Sequence, residues 1–166
     1  PPVPLFDYDL VSTRAVYRNC LPRDVPSLLA LAGRRAAGLG ADPAAAREAA
    51  AVPVSALTRH KTGGSILLIE VGPATVGYCI LTTSWSHALG GTVLGVEELH
   101  VEPGHDRLVL AGDLLALLAK VSPAGAVASR VAPGVADRKL RAACARAGFH
   151  SEADPGMIRD MRRDTP

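Results

Sequence analysis

Residues 96–103 read Val96-Glu97-Glu98-Leu99-His100-Val101-Glu102-Pro103, and a short way on stand Arg107 and then Gly112-Asp113-Leu114-Leu115. The first run ends a strand that begins near Val93, and Pro103 to Asp106 makes a loop. Beyond it, Leu110, Leu114, Leu117, Leu118 and Val121 recur at helical spacing and form one apolar stripe. A strand that passes so directly into a helix leaves the first-turn N–H groups unpaired and facing outward. Together with the positive end of the helix dipole, those donors suit an anion. This handover fixes how the rest of the chain is read.

Upstream of it lie two more strands. Ile66 to Val71 is a buried-looking strand, Gly72-Pro73-Ala74-Thr75 a turn, and Val76 to Leu81 the return strand, running on to Trp85. Gly90-Gly91 turns the chain into the strand of Val93 to Val101, which completes an antiparallel meander. Downstream, Ala126 to Val131 forms a short strand, so the chain crosses from strand to helix to strand, a parallel and right-handed unit. Ala136, Leu140, Ala143, Cys144 and Ala147 then mark a second stripe, closed by Gly148 in the position after the helix end. One or two short strands are expected around Met157 to Met161.

The N-terminal third completes the order. Residues 1–12 hold three prolines and read as an extended arm, and Arg14 to Cys20 as a first strand. Asp24 is a candidate N-cap for a helix carrying Val25, Leu28, Leu29 and Ala32, ending near Gly38 or Gly40. Asp42-Pro43 opens an Ala-rich second helix, interrupted at Pro53 and resuming toward His60. The expectation is a single domain over 13–166 of α/β (α+β) class, with a mixed, mostly antiparallel central sheet flanked by helices.

Composition sets outer bounds. A chain of 166 residues, 48% hydrophobic and 20% charged, has the material for one globular core. A formal charge of +2, with no basic run interleaved with aromatics, speaks against nucleic acid. Arg138-Lys139 with Arg141 and Arg146 reads first as the wet face of a helix and second as a contact for an anionic ligand. Cys20, Cys79 and Cys144 are widely spaced, as free thiols of a reducing compartment are. No apolar run approaches a membrane span, and the start lacks the pattern of a signal peptide, so a cytoplasmic protein is expected. The wealth of Ala, Arg and Gly fits a GC-rich bacterial genome.

The order of elements, with residues 96–103 at its centre, resembles the GNAT superfamily of N-acetyltransferases over about residues 14–162. Many of its members show a strand ending "ELxVxP", an Arg- and Gly-rich loop, and a helix with paired leucines. Val76-Gly77-Tyr78 is similar to the family's "VGY" strand, Ser84-Trp85-Ser86 and Gly90-Gly91 to its next hairpin, and Arg146-Ala147-Gly148-Phe149 to its late "GF". The resemblance implies acetyl-CoA as cosubstrate, held by Leu99, His100, Val101, Arg107, Leu108, Val109, Leu110, Ala111, Gly112, Asp113 and Asp137. The family's loop pattern, Arg/Gln-x-x-Gly-x-Gly/Ala, keeps Arg107 and Gly112 here, but Leu110 stands for the middle glycine. Leu108 stands where another glycine is common, and Asp137 where asparagine is usual.

Acetyl transfer to an amine needs a base, an oxyanion donor and a proton for the leaving thiolate. Glu97 and Glu98 are adjacent in a strand and are expected on opposite faces. Glu98, at the glutamate of "ELxV", is the candidate base, with Glu97 and His100 in reserve and Glu97 a candidate contact for the substrate ammonium. Anchoring a nearby loop or binding the substrate ammonium are the competing readings of Glu98. A carboxylate held partly out of water binds its proton more tightly, which suits a base near neutral pH. The resemblance implies that a backbone N–H of Leu99 or His100 meets the oxyanion. It puts the leaving-group acid five residues before Phe149, where Cys144 stands instead of tyrosine; a small residue on an apolar helix face is the plainer reading of that cysteine. Trp85 is a candidate lining of the acceptor pocket, with hydrophobic anchoring as the alternative. No His and carboxylate spacing suggests a metal.

The function expected is transfer of acetyl from acetyl-CoA to an amine of a small molecule or peptide by direct attack. The alternatives are a non-catalytic module that binds acyl-CoA or a protein, and an interaction domain that binds no CoA. A homodimer is open; nucleic acid and membrane partners are not expected.

Overall fold

The computed structural model describes residues 5–60, 63–121, 126–132, 135 and 138–149. Among these residues six strands form one sheet in sequential order: β1 (Leu10–Val11), β2 (Val16–Asn19), β3 (Gly64–Val71), β4 (Ala74–Ser86), β5 (Gly91–Val101) and β6 (Ala126–Val131). All neighbours are antiparallel except β5 and β6, which run parallel. The class, a mixed and mostly antiparallel sheet flanked by helices, is the one the sequence led us to expect.

Helices α1 (Val25–Gly38) and α2 (Pro43–His60) cover one face, and α3 (Arg107–Lys120) and α4 (Leu140–Arg146) the other. Strand alternation divides the core accordingly. Cys79 and Leu81 of β4 and Leu94, Val96, Leu99 and Val101 of β5 meet Leu110, Leu114 and Leu118 of α3. Ile66 and Leu68 of β3 and Tyr78 of β4 meet Leu28 and Leu31 of α1 and Val54 of α2. Each fully buried leucine contributes roughly 2–3 kcal/mol.

Local chemistry explains the helix ends. Asp42 accepts from Ala44 and Ala45 N–H at 3.0 and 3.2 Å and caps α2 as expected. Gly40, at φ +76°, closes α1, with Ala41 N–H reaching back to Ala36 and Gly40 N–H to Ala37. Gly148, at φ +90°, closes α4 in the same way, through Phe149 to Cys144 and Gly148 to Ala145.

Three expectations are corrected. Asp24 precedes α1 but does not cap it; its carboxylate turns back to Leu21 N–H at 2.9 Å and to Arg18, across the short 3-10 turn Pro22–Asp24. Helix α2 runs through Pro53 without interruption. Pro53 and Ala49, whose carbonyl loses its donor, are both exposed, so water can take the freed group. The stretch read as an arm supplies β1, and Phe6 and Leu10 enter the core, while Leu5 N–H reaches Ser65 Oγ at 3.3 Å. The strands expected around Met157 to Met161 lie outside the described residues.

Candidate active site

The decisive local feature of β5 is a bulge. Ile80 pairs with Glu98 and Leu81 with Val96, so Glu97 is the extra residue. The bulge resets the alternation and brings two consecutive glutamates to the same face. Glu97 accepts from Thr82 Oγ1 at 3.0 Å and Glu98 from the Tyr78 hydroxyl; Thr82 and Tyr78 are four residues apart on β4. Glu97 and Glu98 therefore do not point to opposite faces, as simple alternation suggested. Both lie on the side of α1 and α2.

That face carries an ordered polar row. Arg35 of α1 pairs with Glu98 Oε1 at 3.3 Å, and Arg34 with Glu102 Oε2 at 2.8 Å. His100 Nε2 meets Glu102 Oε1 at 2.9 Å, and its ring lies 5.7 Å from that of Tyr78. Glu102 feels opposed effects: burial favours its neutral form, but hydrogen bonds from His100 and Arg34 outweigh this and hold it below the usual carboxylate range. The Tyr78 hydroxyl is pushed well above its ordinary value, first by burial and then by Glu98, so it remains a donor. Glu98 Oε1 takes both Tyr78 and Arg35, while among the described residues nothing binds Oε2. That oxygen is not sealed from solvent either, since among the described residues no buried side-chain oxygen lacks a partner.

Beside this row, among the described residues, no strand pairs with β5 beyond Val96 on its β6 side. Strand β6 pairs with Thr92 to Val96 only, and its last link is Ala132 N–H to Val96 O at 2.9 Å. Glu102 N–H bonds Val76 on β4, so by alternation His100 N–H also turns to β4, while Leu99 and Val101 N–H turn to the β6 side. Of the two candidate oxyanion donors, only Leu99 presents its amide there.

The loop after β5 ends at Asp106, whose Oδ1 accepts from Val109 N–H at 3.1 Å and caps α3. Around this helix end lies a cleft of about 570 Å3, lined by His105, Asp106, Arg107, Leu108, Arg138 and Lys139. Arg138 and Lys139, read first as a solvated helix face, are thus brought to the loop through tertiary structure. Leu108 is half-exposed in the cleft, while Leu110 and Ala111 are buried, and Leu110 O accepts from the Tyr17 hydroxyl at 2.7 Å. The leucine at the middle-glycine position thus faces the core and leaves the cleft clear. Gly112 lies against Ala143 of α4, and Asp113 forms a two-pronged pair with Arg14 at 2.9 Å.

Two expected members stand apart. Trp85 shares the β4 face of Cys79 and Leu81, opposite to Glu98, and is 70% exposed near the hairpin tip. Two-residue periodicity along β4 puts it there and removes it from Glu98's surroundings. Cys144 is buried between α4 and α3 in the core on that same opposite side, matching its plainer reading. Asp137 lies outside the described residues. The sequence reading missed Tyr78, Arg34, Arg35 and Glu102. Their signals were the consecutive arginines on a helix and the alternating Glu98, His100, Glu102.

No family model and no curated protein sequence matches the chain. Solved structures do. An integron cassette protein from the mobile metagenome of Cole Harbour Salt Marsh is 25% identical, with TM-score 0.70 over 87% of this chain and 90% of that one. An aminoglycoside N-acetyltransferase in complex with CoA superposes at TM-score 0.64 and 13% identity, over 92% of this chain and 99% of the other. The chain has a GNAT fold. A further GNAT-fold match, the ribosomal-protein-alanine N-acetyltransferase from Brucella melitensis biovar Abortus 2308, gives TM-score 0.63 and 16% identity, over 88% and 99% of the two chains. Among the described residues of this GNAT fold, no cluster of three or more metal-ligating side chains occurs, and no helix is long and apolar enough to cross a membrane.

Proposed function

We propose that the protein transfers an acetyl group from acetyl-CoA to a primary amine by direct attack. The observation that carries this reading is a basic cleft at the N-terminus of α3, the helix that follows β5, the strand that bears Glu98 and that no described strand pairs beyond Val96 on its β6 side.

His105, Arg107, Arg138 and Lys139 fit a polyanion at the cleft, and Leu108 offers apolar surface beside them. The cosubstrate supplies an activated acyl group on a thiol that leaves readily. Glu98, through Oε2, takes the proton from the incoming ammonium, because only the neutral amine is nucleophilic. Leu99 N–H, pointing to the β6 side, donates to the oxygen that gains charge in the transition state. A thiol of pKa about 8.5 can be protonated by water on departure, so no tyrosine is required. Glu97, exposed beside Thr82, holds the ammonium until it is deprotonated.

The experiment is a thiol-release assay with acetyl-CoA over spermidine, kanamycin and an Ala-initiated peptide. Glu98→Gln should lower kcat by about 100-fold or more, the range of general-base contributions. Turnover equal to the parent would remove Glu98 from the chemistry. A non-catalytic acyl-CoA-binding module is the second reading, favoured by Cys144, which is walled into the core where the family has its acid. Tight acetyl-CoA binding without turnover of any amine would support it.

A further inference from the structure

We infer that Tyr78 is a positioning residue that aims Glu98 at the acceptor amine. This rests on the reading of Glu98 as the base and names the group that makes its geometry single-valued.

Tyr78 stands on β4 opposite His100 and reaches diagonally to Glu98, as cross-strand neighbours on one face do. Its ring is 2% exposed and packed in the core with Leu28, Leu31, Ile66 and Leu68, with the His100 ring against it. The hydroxyl is therefore fixed by packing on both sides and cannot follow a wandering carboxylate. It donates to Oε1, the oxygen that Arg35 also pairs at 3.3 Å. A planar carboxylate whose one oxygen accepts from a fixed hydroxyl and is ion-paired with a guanidinium has its second oxygen fixed in direction. Oε2, which nothing among the described residues binds, is the one left to take a proton. A rotatable strand glutamate would otherwise spread over several rotamers, and fixing it lowers the entropy lost on reaching the reactive arrangement. Arg35 alone is a weaker holder, because its side chain is 38% exposed and on a different element. Tyr78 touches neither substrate in this scheme; it acts only through Glu98.

The test is a double-variant cycle of Tyr78→Phe and Glu98→Gln, using the probe amine turned over fastest among spermidine, kanamycin and the peptide. Phenylalanine keeps the buried ring, and a circular dichroism melt confirms the fold. Tyr78→Phe should lower kcat about tenfold and leave the KM for acetyl-CoA within twofold. Added to Glu98→Gln, it should change kcat less than twofold, because its partner is already disabled. A kcat unchanged in Tyr78→Phe, or a full tenfold loss persisting on top of Glu98→Gln, would show the tyrosine to be structural and overturn the inference. If Glu98→Gln itself matches the parent, the base assignment fails and the inference with it. That outcome is distinct from the first two.

Discussion

Asp106 Oδ1 accepts a hydrogen bond from the Val109 amide at 3.1 Å, so a carboxylate already stands at the helix end where an anionic cosubstrate would dock. The cap steadies α3 and at the same time opposes a pyrophosphate. The two effects separate on substitution, because asparagine caps a helix about as well as aspartate but carries no charge. Asp106→Asn should leave the melting temperature nearly unchanged and tighten acetyl-CoA binding by about 1 kcal/mol, roughly fivefold at low salt. Raising the salt should shrink the gain. Weaker binding in the asparagine variant would mean the carboxylate helps the ligand.

Gly77 is required by close packing rather than by an unusual backbone angle. A Cβ there would fall on the His100 carbonyl and lie 3.1 Å from Val101 Cα, both backbone atoms of the neighbouring strand. Rotamer changes cannot relieve such a clash. Gly77→Ala should cost about 2–4 kcal/mol in urea unfolding and displace the strand that presents Leu99. A loss under about 0.5 kcal/mol would contradict the observed β4–β5 register.

Acid should weaken the fold in a defined order. The Asp24 carboxyl is held below its usual range chiefly by the Arg18 hydrogen bond, against some burial, and Leu21 N–H adds to it. A depressed folded-state pKa means the stabilisation is fully present above the unfolded value of about 3.9 and is lost as pH falls through the lower folded one. Stability from this pair should therefore be flat between about pH 7 and 5 and decline below about pH 4. Arg18→Gln should be less stable at pH 7, with the gap to the parent closing as pH drops. A gap of constant size down to pH 2 would show that the pair carries no linkage.

The order of strands and helices was legible because each strong signal is local: the leucine stripe of α3, the Asp42 cap, and the glycines after α1 and α4. The two glutamates misled for an equally definite reason. A bulge is a property of how β5 pairs with β4, and the run Val96 to Val101 contains nothing that announces it. Trp85 was misplaced because proximity in sequence to the hairpin says little about which face a side chain takes four residues beyond Leu81. Arg35 and Glu98 are 63 residues apart, and Arg138 reaches the α3 cleft only through the β6 crossover; such meetings depend on tertiary packing. Pro53 shows the converse, a strong local breaker overridden by a helix whose proline side is exposed.

The central claim is that acetyl-CoA binds at the α3 N-terminus, and isothermal titration of the chain with acetyl-CoA tests it most directly. The parent should give saturable one-to-one binding, and Arg138→Ala with Lys139→Ala should weaken it by about tenfold or more, the worth of a charge-assisted contact. Absence of heat at millimolar acetyl-CoA, or equal affinity in the double variant, would contradict the account.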